Sequence, residues 1–138
     1  MITLALAAIT LIVLTPSCSK YAEGSKFTLL TKKARLTGEW VIESVTYNGT
    51  DQTSIYTTAV GANYVLEIEK DGGYRTEGLS PDTGKWELGE DKDDIFITSD
   101  QVGSTQVTFR IVRLASKELW LKQTQTNGDI IQINYKAK

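Results

Sequence analysis

The sequence predicts an all-β protein: an eight-stranded antiparallel up-and-down barrel with a short N-terminal helical segment. From residue 39 onward, short runs of β-branched and aromatic residues are separated by Gly, Asn and Asp, a pattern typical of strands joined by hairpins. Most runs also alternate apolar with polar residues, so each strand has one face that must be covered. Eight such strands cover those faces by closing into a barrel, which also leaves no sheet edge.

The connections support an up-and-down order because nearly all of them are short. The first strand ends at Asn48-Gly49, a dipeptide that suits a tight type I′ turn. The exception is the linker from Thr50 to Ala62, in which Ser54-Ile55-Tyr56 is expected to form a helical turn across one end of the barrel, as a candidate lid. The eight expected strands lie at residues 39–47, 64–69, 74–77, 85–88, 95–97, 105–114, 118–123 and 129–135.

The more apolar face of each strand predicts the core, and two aromatic residues stand apart from it. Phe96 and Trp120 fall on the outward face, where they either mark a docking surface or lie beneath the 50–62 linker or the N-terminal segment. The predicted inward set is Tyr64, Leu66, Ile68, Trp86, Leu88, Ile95, Ile97, Val107, Phe109, Ile111, Leu119, Leu121, Ile131, Ile133 and Tyr135.

Composition excludes several kinds of function. The net charge is only -2, with acidic and basic residues interspersed, so no nucleic-acid partner is expected. The chain has no histidine and one cysteine, which excludes zinc sites and Ser-His or Cys-His catalysis. No cofactor, metal or enzymatic activity is expected.

Carboxylate pairs are the remaining candidates for chemistry, and none is expected to catalyse a reaction. Glu67 and Glu69 project from the predicted outer face, where solvent keeps both ionised. Asp93 and Asp94 belong to the acidic segment 89–94. A calcium loop needs six to eight oxygen ligands, including a bidentate Glu that this segment lacks, so a charged hairpin tip is favoured.

The N-terminus has the outline of a lipoprotein signal peptide. An apolar run of about 13 residues precedes the single cysteine, Cys18, whereas a membrane-spanning helix needs roughly 20. The predicted organisation is a signal peptide over residues 1–17, a lipidated tether and helical lead-in over 18–36, and a barrel domain over 37–138. The alternatives are an ordinary signal peptide cut elsewhere, a membrane-anchoring tail, or a buried structural cysteine.

The segment Gly38-Glu39-Trp40, at the head of the first predicted strand, resembles the Gly-x-Trp signature of the lipocalin and calycin superfamily. The wider segment from Cys18 to Trp40 resembles the lipocalin-like lipoproteins of Bacteroidetes, in which an acylated cysteine precedes a small barrel. This resemblance implies a place in the cell envelope, on the outer membrane, and structural roles for Gly38 and Trp40. It also implies a basic side chain above Trp40, for which Lys136 or Lys138 would serve.

The resemblance further implies a small apolar ligand in the barrel lumen. Among the predicted inward residues, the large aromatic side chains that would line such a pocket are Tyr64, Trp86, Phe109 and Tyr135. The alternative is a lumen filled by its own side chains, since an eight-stranded barrel allows both arrangements. A filled barrel would make the protein a rigid scaffold that docks an envelope protein partner on its outer surface.

Overall fold

The computed structural model describes residues 30–138 and confirms the predicted antiparallel barrel. Each barrel strand pairs with the next, and the last returns to pair with the first. Of the nine strands, only the two-residue β2 lies outside the barrel, as an extra strand on β1. The elements are α1 (Lys32–Leu36), β1 (Gly38–Tyr47), β2 (Thr50–Asp51), α2 (Thr53–Val60), β3 (Val65–Ile68), β4 (Gly73–Glu77), β5 (Asp82–Leu88), β6 (Asp94–Ser99), β7 (Val107–Leu114), β8 (Glu118–Thr124) and β9 (Ile130–Ala137).

Of the predictions for the N-terminal part of the chain, only those that fall at residue 30 or later can be compared with the structure. Helix α1 corresponds to the expected helical segment before the first strand. The predicted signal peptide, Cys18 and most of the predicted tether lie outside the described residues. Within residues 30–138, no helix is long and apolar enough to cross a membrane.

The predicted inward residues lie inside the barrel, and the core is larger than predicted. Most of the predicted set is buried or packs against the buried cluster. The core also contains Leu36, Trp40, Val45, Tyr74 and Leu114. Leu36 belongs to α1. The other four residues lie in strand segments where apolar and polar residues do not alternate regularly.

Two irregularities explain why strict alternation misses part of the core. A register shift follows Ile42 in β1, and another follows Ile111 in β7. A bulge places an extra residue on one strand and so reverses which residues face inward beyond it. As a result, Val45 and Leu114 are buried, at 2% and 0% exposure.

One end of the barrel, here called the closed end, is sealed by α1. Leu36 is fully buried there, and its carbonyl accepts a 2.9 Å hydrogen bond from Trp40 Nε1. Arg35 Nη1 donates to the Leu114 carbonyl at 3.2 Å. The Lys33 ammonium lies 5.7 Å from the centroid of the Trp86 ring. These contacts attach α1 to the ends of several strands at once.

Helix α2 lies at the opposite end, here called the mouth end. Asp51 Oδ1 accepts hydrogen bonds from the Thr53 N–H and hydroxyl at 2.9 and 2.5 Å, which satisfies a free donor in the first turn of the helix. Thr53 Oγ1 in turn accepts from the Val45 N–H at 3.0 Å and ties the helix to β1. The expected helical turn at residues 54–56 is therefore part of a longer, eight-residue helix.

Candidate ligand-binding cavity

The mouth end contains a cavity of about 330 Å³. It is bounded by inward side chains of β3 to β9, by α2, and by the loop between β6 and β7. The lining residues are Tyr56, Tyr64, Leu66, Tyr74, Thr76, Asp82, Ile97, Ser99, Ser104, Thr105, Val107, Phe109, Leu121, Ile133 and Tyr135. The lumen is thus neither wholly filled nor wholly hollow.

Three of the four aromatic residues predicted to line a pocket, Tyr64, Phe109 and Tyr135, lie together in this cavity. Trp86 does not line it. Trp86 packs at the closed end, where its Nε1 donates to the Glu69 carbonyl at 2.8 Å.

The tyrosines of the cavity stay neutral near physiological pH. Burial raises the pKa of Tyr64 to about 12, with a further contribution from the neighbouring Tyr56. Burial also raises the pKa of Tyr135 well above its ordinary value. Neutral phenols remain hydrogen-bond donors as well as acceptors. The cavity is therefore lined by apolar rings that carry a few polar hydroxyls.

One wall of the cavity is polar and is centred on Asp82. The Tyr74 hydroxyl donates to Asp82 Oδ2 at 2.6 Å. The Ser99 hydroxyl donates to Asp82 Oδ1 at 2.7 Å, and Gln101 Nε2 donates to the same oxygen at 3.3 Å. Asp82 and Thr76 also border an open groove on the outer surface, so this wall reaches the rim of the mouth.

Asp82 is held in its ionised form. Burial alone would raise the pKa of its carboxyl, but the hydrogen bonds donated by Tyr74, Ser99, the Thr83 backbone N–H and Gln101 together outweigh that effect and lower the pKa below its ordinary value. Burial, reinforced by the hydrogen bond to this carboxylate, raises the pKa of Tyr74. Each group thus stabilises the other in the charge state it has at neutral pH.

Gly84 makes this arrangement sterically feasible. A Cβ atom at Gly84 would lie 2.1 Å from the Thr98 carbonyl oxygen and 2.6 Å from Tyr74 Cε1. Any other residue would therefore displace the Tyr74 ring or the strand beside it. Glycine within a strand often marks such a close approach. Here its missing side chain lets Tyr74 lie against β5 with its hydroxyl at Asp82.

The polar wall was not predicted from the sequence. The predicted fourth strand began at Lys85, whereas β5 begins at Asp82. Extending the alternation backward from Trp86 through Gly84 to Asp82 would have placed the carboxylate inside the barrel. The signal existed, but Gly84 interrupted the apolar pattern.

The mouth is partly covered by α2, the segment predicted to contain a lid. Tyr56 of this helix lines the cavity. At the C-terminal end of the helix, the Val60 carbonyl accepts a hydrogen bond from the Leu79 N–H at 2.8 Å. A Cβ atom at Gly78 would lie only 2.3 Å from that same carbonyl oxygen. The helix is thus attached at both ends, to β1 and to the loop after β4.

Gly38 and Trp40, the residues of the Gly-x-Trp motif, lie at the closed end. Gly38 has a φ of 145°, which other residues rarely adopt, and no atom lies within 4 Å of where its Cβ would be. Its backbone conformation rather than the available space therefore favours glycine. Of the two lysines expected above Trp40, Lys138 lies 3.4 Å from the Glu39 carboxylate, and Lys136 is exposed.

The two outward aromatic residues differ in their surroundings. Trp120 is half-buried, and the Arg113 guanidinium lies 5.0 Å from the centroid of its ring. Among the described residues, its buried Nε1 has no hydrogen-bond partner. Phe96 is also half-buried and borders a separate pocket beside Lys85 and Thr98.

Three of the four carboxylates considered for chemistry form ion pairs. Glu67 pairs with Arg75, and Asp94 pairs with Arg110 Nε at 2.9 Å. Asp93 lies 3.4 Å from the Lys32 ammonium. In the part of the chain that the structure describes, no three Asp, Glu or Cys side chains are grouped so that they could hold a metal ion.

Comparison with known proteins does not assign the chain to a family. No protein-family model matches the chain, and no curated protein shows significant sequence similarity to it. Any functional assignment therefore depends on the cavity itself.

Proposed function

We propose that this chain is an envelope lipoprotein, anchored through Cys18, whose barrel binds a small, mainly apolar molecule in its lumen. The observation that carries the proposal is the cavity at the mouth end. Its volume of about 330 Å³ falls within the range of small-molecule sites. Its mixture of apolar walls with a few polar groups is also typical of such sites.

Affinity would come mainly from removing apolar surface from water, at about 25 cal/mol per Å². Phe109, Ile97 and Ile133 supply such surface on three different strands. The polar wall around Asp82 would then orient the ligand. This division between apolar burial and orienting polar contacts favours binding over a purely structural barrel.

The anchoring part of the proposal rests on the sequence pattern around Cys18 and on the position of α1. Helix α1 enters the barrel at the closed end, where Lys33 and Arg35 contact the ends of the strands. The chain that leads back to Cys18 therefore joins the barrel opposite the mouth. A lipid anchor at Cys18 would thus connect to the barrel through its closed end. The outer membrane is the proposed location.

Mass spectrometry of the full chain tests both parts in one experiment. The protein is purified with its own leader, once from its native envelope and once from a heterologous bacterial host. Under denaturing conditions we expect acyl chains to remain on Cys18 and to be absent from a Cys18→Ser variant. Under native conditions we expect an additional bound mass of a few hundred daltons, which denaturation removes.

A matched pair of substitutions on β7 places that bound mass in the lumen. Val107 lines the cavity, whereas Val112 on the same strand is exposed. Val107→Trp should fill the cavity and abolish the bound mass, and Val112→Trp should retain it. A chain without bound mass from both sources would contradict ligand binding and favour a scaffold with a docking surface. An unmodified Cys18 would contradict the anchor.

A further inference from the structure

The polar wall gives the lumen a charge that restricts which ligands it can accept. Asp82 is the only charged residue among the lining side chains of the described cavity, and no Lys or Arg lies among them. Its three side-chain donors, Tyr74, Ser99 and Gln101, are all neutral. No ion pair within residues 30–138 involves Asp82. Arg75 borders the outer groove that Asp82 also borders, but it pairs with Glu67. The cavity therefore contains a negative charge with no cation among its own lining residues.

The carboxylate is held by neutral donors alone. Side chains supply three hydrogen bonds and the Thr83 backbone N–H supplies a fourth, about as many as a carboxylate can accept. Asp82 is half-buried at the junction of the lumen and the outer groove. A ligand donor in the cavity would therefore replace one of these neutral donors, of which Gln101 at 3.3 Å is the most distant. A charged donor there would form a stronger hydrogen bond than a neutral one.

The aromatic side chains of the other walls also favour a positively charged ligand. Five aromatic rings line the cavity, from Tyr56, Tyr64, Tyr74, Phe109 and Tyr135. The face of an aromatic ring carries partial negative charge and attracts ammonium groups, more strongly where water is excluded. An anionic ligand would lie among these rings and beside the Asp82 carboxylate, with no Lys or Arg lining the cavity to compensate its charge.

From these observations we infer that the lumen selects an organic cation: a protonated amine on an apolar body, with its ammonium group at Asp82. This inference rests on the proposed function, because it assumes that the lumen binds a ligand. It assigns Asp82 as the specificity-determining residue. It also implies that molecules with a carboxylate head, such as fatty acids, are poor ligands.

The test compares three probes that share an eight-carbon chain and differ only in the head group: octylamine, octanol and octanoate. Binding to the full chain in phosphatidylcholine nanodiscs is measured by isothermal titration calorimetry at pH 7, and titrations of empty nanodiscs are subtracted. We expect octylamine to bind about tenfold tighter than octanol, as one charge-assisted hydrogen bond allows. Octanoate should bind more weakly than octanol.

Two variants separate the lumen charge from the surface charge. Asp82→Asn keeps the shape of the side chain but removes its charge, and it should reduce the preference for octylamine over octanol to below about threefold. Asp100→Asn removes an equal charge from an exposed carboxylate that accepts from Thr83 and does not line the cavity. This control should retain the wild-type preference.

The ranking in the wild-type chain is decisive even if Asp82→Asn fails to fold. Octanol that binds as tightly as octylamine would overturn the inference and leave the proposed function standing. A preference for octylamine that persists in folded Asp82→Asn would also overturn it. If none of the three probes binds and the chain carries no native bound mass, both the inference and the proposed function fail.

Discussion

The two ends of the barrel are built from the same strands but packed differently. At the closed end, Leu36, Leu114 and Leu119 are fully buried at 0% exposure, and α1 seals the opening. At the mouth end, inward positions carry tyrosines and small polar residues, and the side chains leave a cavity of about 330 Å³.

Strand β5 shows the difference within a few residues. Trp86 fills the closed end, and Asp82, four residues earlier on the same face, lines the cavity at the mouth end. Filling and ligand binding are therefore not alternatives for the barrel as a whole. Whether an inward side chain fills the interior or lines the cavity depends on its position along the strand. Substitutions at the two ends are therefore expected to have different effects on stability.

The largest expected difference is between two leucines of β8. Leu119 is completely buried at the closed end, whereas Leu121 faces the same interior but lines the cavity. Leu119→Ala should lower the free energy of unfolding by about 4 kcal/mol, because dense packing leaves a new void. Leu121→Ala should lower it by about 2 kcal/mol, because part of its surface already adjoins empty space. Urea denaturation of both variants measures the difference, and equal losses would contradict the contrast between the two ends.

A smaller effect is expected from removing single indole N–H groups. Trp40 Nε1 donates to the Leu36 carbonyl at 2.9 Å inside the closed end. Trp40→Phe should lower the free energy of unfolding by about 1 to 2 kcal/mol, because it leaves that carbonyl unpaired. Trp120 is the control: its buried Nε1 on the outer face has no hydrogen-bond partner within residues 30–138, so Trp120→Phe should be neutral or slightly stabilising. Thermal unfolding followed by circular dichroism compares the two, and a larger loss for Trp120→Phe would refute the assignment.

The smallest effect is a dependence on pH that is expected at the mouth end. Hydrogen bonds from Thr53 lower the pKa of Asp51, and those from Tyr47 and Asn48 lower the pKa of Asp129. Asp82 behaves in the same way despite its burial. Each folded-state pKa lies below the ordinary value of 3.8. Their stabilisation is therefore complete above about pH 5, and it is lost as pH falls through 3.8 toward the lower folded-state values.

Amide hydrogen exchange, corrected for intrinsic rates, locates this loss. Between about pH 5 and pH 3 we expect protection to decrease first in α2 and in the strand ends around the mouth. The closed end should retain its protection over the same range. Asp82→Asn should flatten the dependence near β5 and β6. Uniform loss of protection along the barrel would contradict a localised effect.

The sequence predicted the barrel well because alternation along a strand directly reports which face is buried. The predicted strands at 64–69, 105–114, 118–123 and 129–135 correspond closely to β3, β7, β8 and β9. Val45 and Leu114 escaped prediction because the bulges in β1 and β7 shift the alternation, and the bulges depend on pairing with other strands.

The candidate site was less predictable because its polar wall joins residues from three strands. Tyr74, Asp82 and Ser99 meet only once β4, β5 and β6 are in register. Alternation extended backward from Trp86 would have placed Asp82 inside the barrel, but no local pattern shows which side chains from the neighbouring strands it would meet there. Helix α2 was predicted only as a turn because Thr-rich, β-branched segments have a modest tendency to form helices, and its contacts with β1 stabilise it instead.

The pairing between β1 and β9 has a consequence for how the chain folds. Closure joins the first barrel strand to the last, so it depends on β9 (Ile130–Ala137), which is synthesised after all the other barrel strands. Bringing such distant segments together makes folding slow compared with that of helical bundles of similar size. Until β9 is in place, β1 and β8 both present unpaired backbone groups that can recruit other chains. A nascent or C-terminally truncated chain is thus the form most vulnerable to aggregation.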